Sequence, residues 1–217
     1  MKMDYLPILL VLALVGAGFG LSIYLDRRRA EAVKAVAETL GFTYCNHHHQ
    51  YLNHVISHFD VGTKGRNRRI KNLIQGRFED VEVSIGDYYY TKGSGKNKRT
   101  YSQTIAVIDG QPSHFPKFVL APENFLHKLG GVFGYQDIDF DTHPEFSDRY
   151  WLAGPNEDAI RERFTADVLN FFQDYGQKQL CVEGLDSRLM YYQTDRSFKP
   201  SDWHKLINTA YRVYRQF

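Results

Sequence analysis

Residues 70–108, IKNLIQGRFEDVEVSIGDYYYTKGSGKNKRTYSQTIAVI, decide the fold. Ile70 to Phe78, Val81 to Tyr90 and Tyr101 to Ile108 carry β-branched and aromatic residues in rough alternation, which is the pattern of strands. Glu79-Asp80 separates the first pair, and the loop Lys92-Gly93-Ser94-Gly95-Lys96-Asn97-Lys98-Arg99 separates the second. Connections this short join antiparallel neighbours, because a parallel pair needs a crossover of about a dozen residues or more. The stretch therefore predicts an antiparallel meander, with a further strand at Phe118 to Leu120 after a proline-containing connection.

Downstream, helices and strands alternate. Pro122-Glu123 opens a helix expected to reach about Leu129 and to stop at Gly130-Gly131, since proline suits a first turn and glycine an exit. Tyr150 to Ala153 reads as a strand. Asn156 caps a helix through Phe164, and Thr165 caps a second one that ends at Gly176. Leu180 to Glu183 and Leu189 to Tyr192 read as strands around a turn at Gly184 to Ser187. A last helix from Ser201-Asp202 sets Trp203, Leu206, Ile207, Ala210, Tyr211, Tyr214 and Phe217 on one apolar stripe, which must bury against the sheet. Upstream, His47-His48-His49 through Lys71 is polar with no clear period before Ile70, and residues 46–69 read as a long loop. The fold class is α+β: an N-terminal transmembrane helix followed by an antiparallel β-meander packed against helices.

The anchor is residues 1–25. Leu6 to Leu25 holds no charged side chain, and twenty helical residues span about 30 Å, the hydrocarbon core of a bilayer. A cleaved secretory signal has a shorter apolar core and a small-x-small cleavage site, whereas here Asp26-Arg27-Arg28-Arg29 follows a long run as a stop-transfer flank. Lys2 alone precedes the run, while Arg27, Arg28, Arg29 and Lys34 follow it. Positive flanks stay on the cytoplasmic side, so the rest of the chain is expected in the cytoplasm of a cell with an inner (plasma) membrane, as a single-pass protein. Residues 26–41 continue as a juxtamembrane amphipathic helix (Ala30, Val33, Val36, Ala37, Leu40, then Gly41 as the stop). Residues 42–217 then form one cytoplasmic domain, with a sub-boundary near 131–149. Gly16 and Gly20 lie four apart in the span, a spacing that lets a second helix approach and form a homodimer.

The 217 residues leave room for one ordinary domain beyond the anchor, and 43% apolar with 24% charged residues excludes a disordered or fibrous chain. Cys45 and Cys181, with no Cys-x-x-Cys pair, exclude a disulfide scaffold and a cysteine zinc finger, and suit a reducing compartment. A formal net charge of +2 conceals an asymmetry: residues 61–100 balance at +6, residues 101–217 at −4.

Each chemical reading of a motif has a plainer rival. Lys92, Lys96, Lys98 and Arg99 around Gly93 and Gly95 suit phosphate or an anionic headgroup. They suit, more simply, a soluble hairpin turn, and the order of residues is not that of a Walker loop. His54 and His58 share a face if helical and would suit zinc, nickel or copper, but no Glu follows the first as a zinc protease requires. A solvated histidine-rich loop is the alternative. Asp137, Asp139 and Asp141 alternate with Ile138 and Phe140, which fits either a hard cation or, more simply, a strand edge with its apolar residues inward. Glu123 and His127 have ion-pair spacing. No Gly-x-Ser-x-Gly elbow, protease cysteine context or nucleic-acid recognition signature is present.

Asp87-Tyr88-Tyr89-Tyr90-Thr91 with Gly93-Ser94-Gly95-Lys96, Gln103-Thr104, Pro122-Glu123-Asn124-Phe125 with His127-Lys128, Gln136-Asp137-Ile138-Asp139-Phe140 and Pro144-Glu145-Phe146-Ser147 together carry a resemblance. It is to an uncharacterised bacterial family of single-pass membrane-anchored proteins with a cytoplasmic α+β domain. The resemblance implies location, and no activity or catalytic residue comes with it. The expectation is a non-catalytic binding or scaffolding module at the cytoplasmic membrane surface. It would take no cofactor and no catalytic residue, would have membrane lipids and a protein as partners, and would not bind nucleic acid. Arg27, Arg28 and Arg29 would lie at the membrane surface. The alternatives are a sensor of an anionic headgroup or phosphorylated metabolite at the basic hairpin, and a metal-dependent enzyme using His54 and His58.

Overall fold

The computed structural model describes residues 6–45, 49–110, 114–123, 134–176 and 179–217. Helix α1 (Leu6–Leu40) runs unbroken from the apolar segment into the domain and ends at Gly41, whose φ of 69° is the left-handed conformation that stops a helix. Then come β1 (Thr43–Cys45), α2 (His49–Ser57), α3 (Asp60–Thr63), β2 (Arg66–Phe78), β3 (Val81–Lys92), β4 (Arg99–Asp109) and β5 (Phe115–Pro122). The remainder is α4 (Pro144–Arg149), β6 (Tyr150–Ala153), α5 (Glu157–Arg163), α6 (Ala166–Tyr175), β7 (Leu180–Asp186), β8 (Arg188–Gln193) and α7 (Trp203–Tyr214).

All eight strands form one antiparallel sheet in the order β1-β2-β3-β4-β8-β7-β5-β6. The expected meander is present over β2 to β4, and β1 adds to its edge beside β2. It does not continue into β5, because the β7-β8 hairpin enters between β4 and β5. The predicted strands are there except at Asp137 to Asp141, and β2 begins at Arg66, ahead of Ile70.

Both faces of the sheet are covered. On the first, Val33 and Ala37 of α1, Phe172 of α6 and Trp203, Ile207 and Val213 of α7 pack with Val83, Ile85, Ala106, Leu152 and Tyr191. On the second, Leu52, Val55 and Ile56 of α2 and Phe59 pack with Ile70, Tyr88, Tyr90, Met190 and Tyr192. This second layer corrects the long loop expected over 46–69. The four residues recur at i, i+3, i+4 and i+7, an amphipathic helical pattern that the surrounding histidines and asparagine mask by composition.

Capping chemistry accounts for the helix starts only in part. The Asn156 side chain accepts from the Ala159 amide at 3.1 Å, as a cap should, whereas Thr165 precedes α6 without a side-chain cap bond. The Asp137 to Asp141 segment is irregular and not a strand. Ile138 is buried and donates to the Leu152 carbonyl, and an oxygen of Asp137 accepts from the Leu152 amide, so the segment is stitched to β6. Of the helix expected to open at Pro122-Glu123, Pro122 instead ends β5, while residues 124–129, the stop at Gly130-Gly131 and His127 of the expected Glu123–His127 pair lie outside the described residues, as do Lys2, His47 and His48.

Candidate functional site

The odd-numbered row of β3, Val81-Val83-Ile85-Asp87-Tyr89, faces α1, and Asp87 is its fourth member. Its carboxylate is wholly buried and accepts from Arg29 Nε and Nη2, each at 2.6 Å, in the bidentate geometry that guanidinium favours. Asn72 Nδ2 donates to it at 2.9 Å and Thr104 Oγ1 at 3.1 Å. Asn72 reaches the carboxylate because β2 is irregular between Lys71 and Ile74 and Asn72 itself has φ 52°. Arg29 also donates to the Phe198 carbonyl at 2.8 Å, and the Phe198 amide donates to Thr104 Oγ1 at 2.9 Å. One turn nearer the apolar segment, Asp26 pairs with Lys71 at 3.0 Å.

The network thus joins α1, β2, β3, β4 and the loop before α7. Arg29, expected at the membrane surface with Arg27 and Arg28, is instead half-buried and turned into the domain, while the other two are exposed. An exposed surface pair like Asp26–Lys71 contributes about 0–1 kcal/mol. Breaking a buried hydrogen-bonded pair by removing one partner costs several times that. Asp87 and Asn72 were missed as site residues. The available signal was a carboxylate placed in phase with Val81, Val83 and Ile85, where an apolar residue belongs.

A second polar cluster lies on the other face. Glu183, on β7, is buried and accepts from the amides of Asp60 and Val61 at 2.6 and 3.1 Å and from the Tyr192 hydroxyl at 2.7 Å. Burial raises its pKa to about 7, against the opposing pull of the Lys64 ammonium. Burial also lowers the pKa of Lys64 and raises that of Asp60, which pairs with Lys117 at 3.6 Å. These contacts clip α3 to the sheet and use the buried carboxylate within the fold, so the cluster reads as a fastening.

The other candidates stand as follows. Lys92, Lys96, Lys98 and Arg99 sit together at the β3–β4 turn, whose Gly93 and Gly95 have positive φ, and no carboxylate pairs with them among the described residues. His54 and His58 do share a face, with ring centroids 4.7 Å apart and His58 Nδ1 on the His54 carbonyl. Among the described residues no third ligand joins them, so the pair cannot close a metal site from those residues alone. Asp137, Asp139 and Asp141 line an open cleft of 490 Å³ with Glu123 and Asp148. Burial raises the Asp137 pKa to about 6. A groove of 530 Å³ between β8 and α7 is lined by Tyr191, Arg196, Phe198, Asp202, Lys205 and Thr209. It shares Phe198 with the Arg29 network. Gly16 and Gly20 lie on the exposed part of α1 with nothing within 4 Å of an added Cβ.

Residues 8–40 make one helix long and apolar enough to cross a membrane. No family model and no curated protein matches the chain. The fold resembles that of a mycobacterial protein. That structure, the crystal structure of the mycobacterial trehalose monomycolate transport factor A, TtfA, superposes with a TM-score of 0.59 at 13% sequence identity, over 88% of this chain and 93% of that one. At this identity the likeness is one of fold alone. It reaches beyond the central sheet to nearly the whole length of both chains.

Proposed function

We propose that the chain is a single-pass membrane-anchored adaptor whose folded domain, at the cytoplasmic face, holds a protein partner of a membrane transport apparatus in a set orientation. The observation that carries this reading is the continuity of α1 from the apolar segment into the core, locked by the Arg29–Asp87 pair. A flexible tether would serve an enzyme that merely needs to be near lipid. A rigid joint is useful when the direction of the domain relative to the bilayer matters.

The cytoplasmic side rests on the arginine flank and on two free cysteines. The transport context comes from the name of the structural neighbour, which is a transport factor. The groove between β8 and α7 beside the joint is the surface this reading assigns to the partner.

The test uses the chromosomal protein in its native cells. With Ser94→Cys as the reporter in a Cys45→Ser background, an impermeant maleimide should label only opened cells, and native electrophoresis of mild-detergent extracts should show the chain in a complex larger than itself. Labelling of intact cells overturns the orientation. Migration as a free monomer at native abundance, or turnover by the purified chain of phosphate esters, peptides or glycosides, overturns the adaptor role.

A further inference from the structure

The geometry points to a second membrane contact: the basic end of the β2-β3-β4 hairpins rests on the anionic headgroups of the bilayer that α1 spans. The inference rests on the anchored reading above and adds the surface by which the domain meets lipid.

Three levels along the helix set the direction. At its C-terminal end, Phe42 packs over Gly76, the β2 partner of Val83. Nearer the apolar segment, Arg29 meets Asp87. Nearer still, Asp26 meets Lys71, the β2 partner of Asp87, and Tyr89 lies within electrostatic reach of Asp26. As α1 runs back toward its apolar half, β3 therefore runs forward toward Lys92.

Lengths then fix how far the hairpin reaches. Arg29 to Leu25 is about 6 Å of helix, whereas Asp87 to Lys92 is about 17 Å of strand. The β3–β4 turn thus extends to the level of the last apolar residues or beyond it. Strands cross a helix packed on their sheet at an angle and twist away from it, so the reach of the turn along the helix axis is shorter than about 17 Å and the turn comes to lie beside the helix at the headgroup layer.

Composition at that end matches an anionic surface. Residues 64–71 and 88–104 hold nine Lys or Arg and no Asp or Glu. Arg66, Arg69, Lys96, Lys98 and Arg99 are exposed, and none of them pairs with a carboxylate among the described residues. Tyrosines interleave with the cations: Arg69 lies over Tyr89 at 5.2 Å and Arg99 over Tyr101 at 5.1 Å. Aromatic rings beside basic groups are the usual furniture of a membrane interface.

The full chain in lipid nanodiscs tests this. A fluorophore on Ser94→Cys, in the Cys45→Ser background, reports on quencher lipids labelled at the headgroup. Quenching should be at least about twofold stronger in discs containing phosphatidylglycerol than in phosphatidylcholine alone, and high salt should remove the difference. Neutralising Lys92, Lys96, Lys98 and Arg99 to glutamine should remove it too, with the protein still retained in the disc. Equal quenching in both lipids, or a difference that survives the glutamine variant, overturns the headgroup contact and leaves the anchor standing. A label shielded equally well by free inorganic phosphate or by RNA also overturns it. Failure of the chain to stay in discs at all overturns the anchored reading and this inference together.

Discussion

Replacing Asp87 by asparagine asks whether apolar helix and domain are one body. Each carboxylate oxygen faces Arg29 and one neutral donor: Oδ2 takes Nε and Asn72, and Oδ1 takes Nη2 and Thr104. Whichever way the asparagine amide turns, its N–H₂ therefore opposes two donors. One charge-assisted and one neutral bond are lost, and Arg29 keeps a half-buried cation whose remaining anionic partner is gone. Removing one member of a buried pair costs about 3–5 kcal/mol. Arg29 is 24% exposed, so water takes up part of that loss and the lower end, about 3 kcal/mol, is expected.

The assay is urea unfolding of the full chain in detergent micelles, followed through Trp151 and Trp203, both buried. The midpoint should fall with the slope unchanged. The double variant Arg29→Met with Asp87→Asn leaves no charge stranded and should recover at least about 1 kcal/mol relative to additivity. Spin labels at Leu21 and His204 should give a narrow distance distribution in the native chain and a broad one in the Asp87 variant. A loss within about 0.5 kcal/mol, or strict additivity, would falsify the rigid-joint account.

Glu183 makes stability depend on pH. Its folded pKa of about 7 lies above the ordinary 4.5, so the folded state binds the extra proton between these values. Its contribution is then complete below about pH 4.5 and lost as pH rises through 7, by about 3 kcal/mol at most. Asp60, shifted in the same direction, adds to this slope, while Lys64, shifted down, acts at higher pH. Glu183→Gln, whose amide can donate to Tyr192, should flatten chemical denaturation midpoints across that window; an unchanged slope would reject the assignment. Gly76→Ala sets a Cβ 2.5 Å from the Phe42 ring and should cost about 1–3 kcal/mol, relieved by Phe42→Leu, as thermal melts of the single and double variants would reveal. Trp203→Ala should cost about 3–5 kcal/mol but Trp203→Phe only about 1, because among the described residues the buried indole Nε1 has no hydrogen-bond partner to lose. Similar losses for both variants would show that the indole nitrogen matters.

The sequence makes some of this legible and hides the rest for identifiable reasons. The apolar run, the strand pair around Glu79-Asp80 and the Trp203 to Tyr214 stripe each meet one environment, so their periods survive. In β7 and β8 both faces are covered. Cys181 and Glu183 face one layer, Leu180 and Val182 the other, and alternation fades. The insertion of β7-β8 between β4 and β5 is a choice of partner among similar edges, which no local pattern records. Leu52, Val55, Ile56 and Phe59 form a helix face in the sequence, but the composition of residues 46–69 is dominated by their polar neighbours. Of the site, the basic hairpin could be found by counting charges. Arg29 differs from Arg27 and Arg28 by helical phase, since it lies four residues before Val33 and eight before Ala37 on the face that packs against the sheet, a pattern that counting the charges of the flank conceals.

The joint at Arg29 also connects the two proposals. Arg29–Asp87, Asp26–Lys71 and the packing of Val33 and Ala37 hold α1 and the sheet as one body, but on the anchored reading that body can still tilt about the place where the helix enters the lipid. A second support must lie away from the helix axis if the domain is to resist tilting, and the hairpin end carrying Lys96, Lys98 and Arg99 is displaced along β3 in the required direction. Headgroup contacts there are individually weak, since each exposed Lys or Arg near an anionic leaflet contributes about 1 kcal/mol, yet acting at the end of a lever about 17 Å long they oppose rotation effectively. An anchor, a rigid joint and a charged outrigger together define a plane. On the proposed reading the groove between β8 and α7 then faces a fixed direction relative to that plane, which is what holding a partner in the same membrane would require.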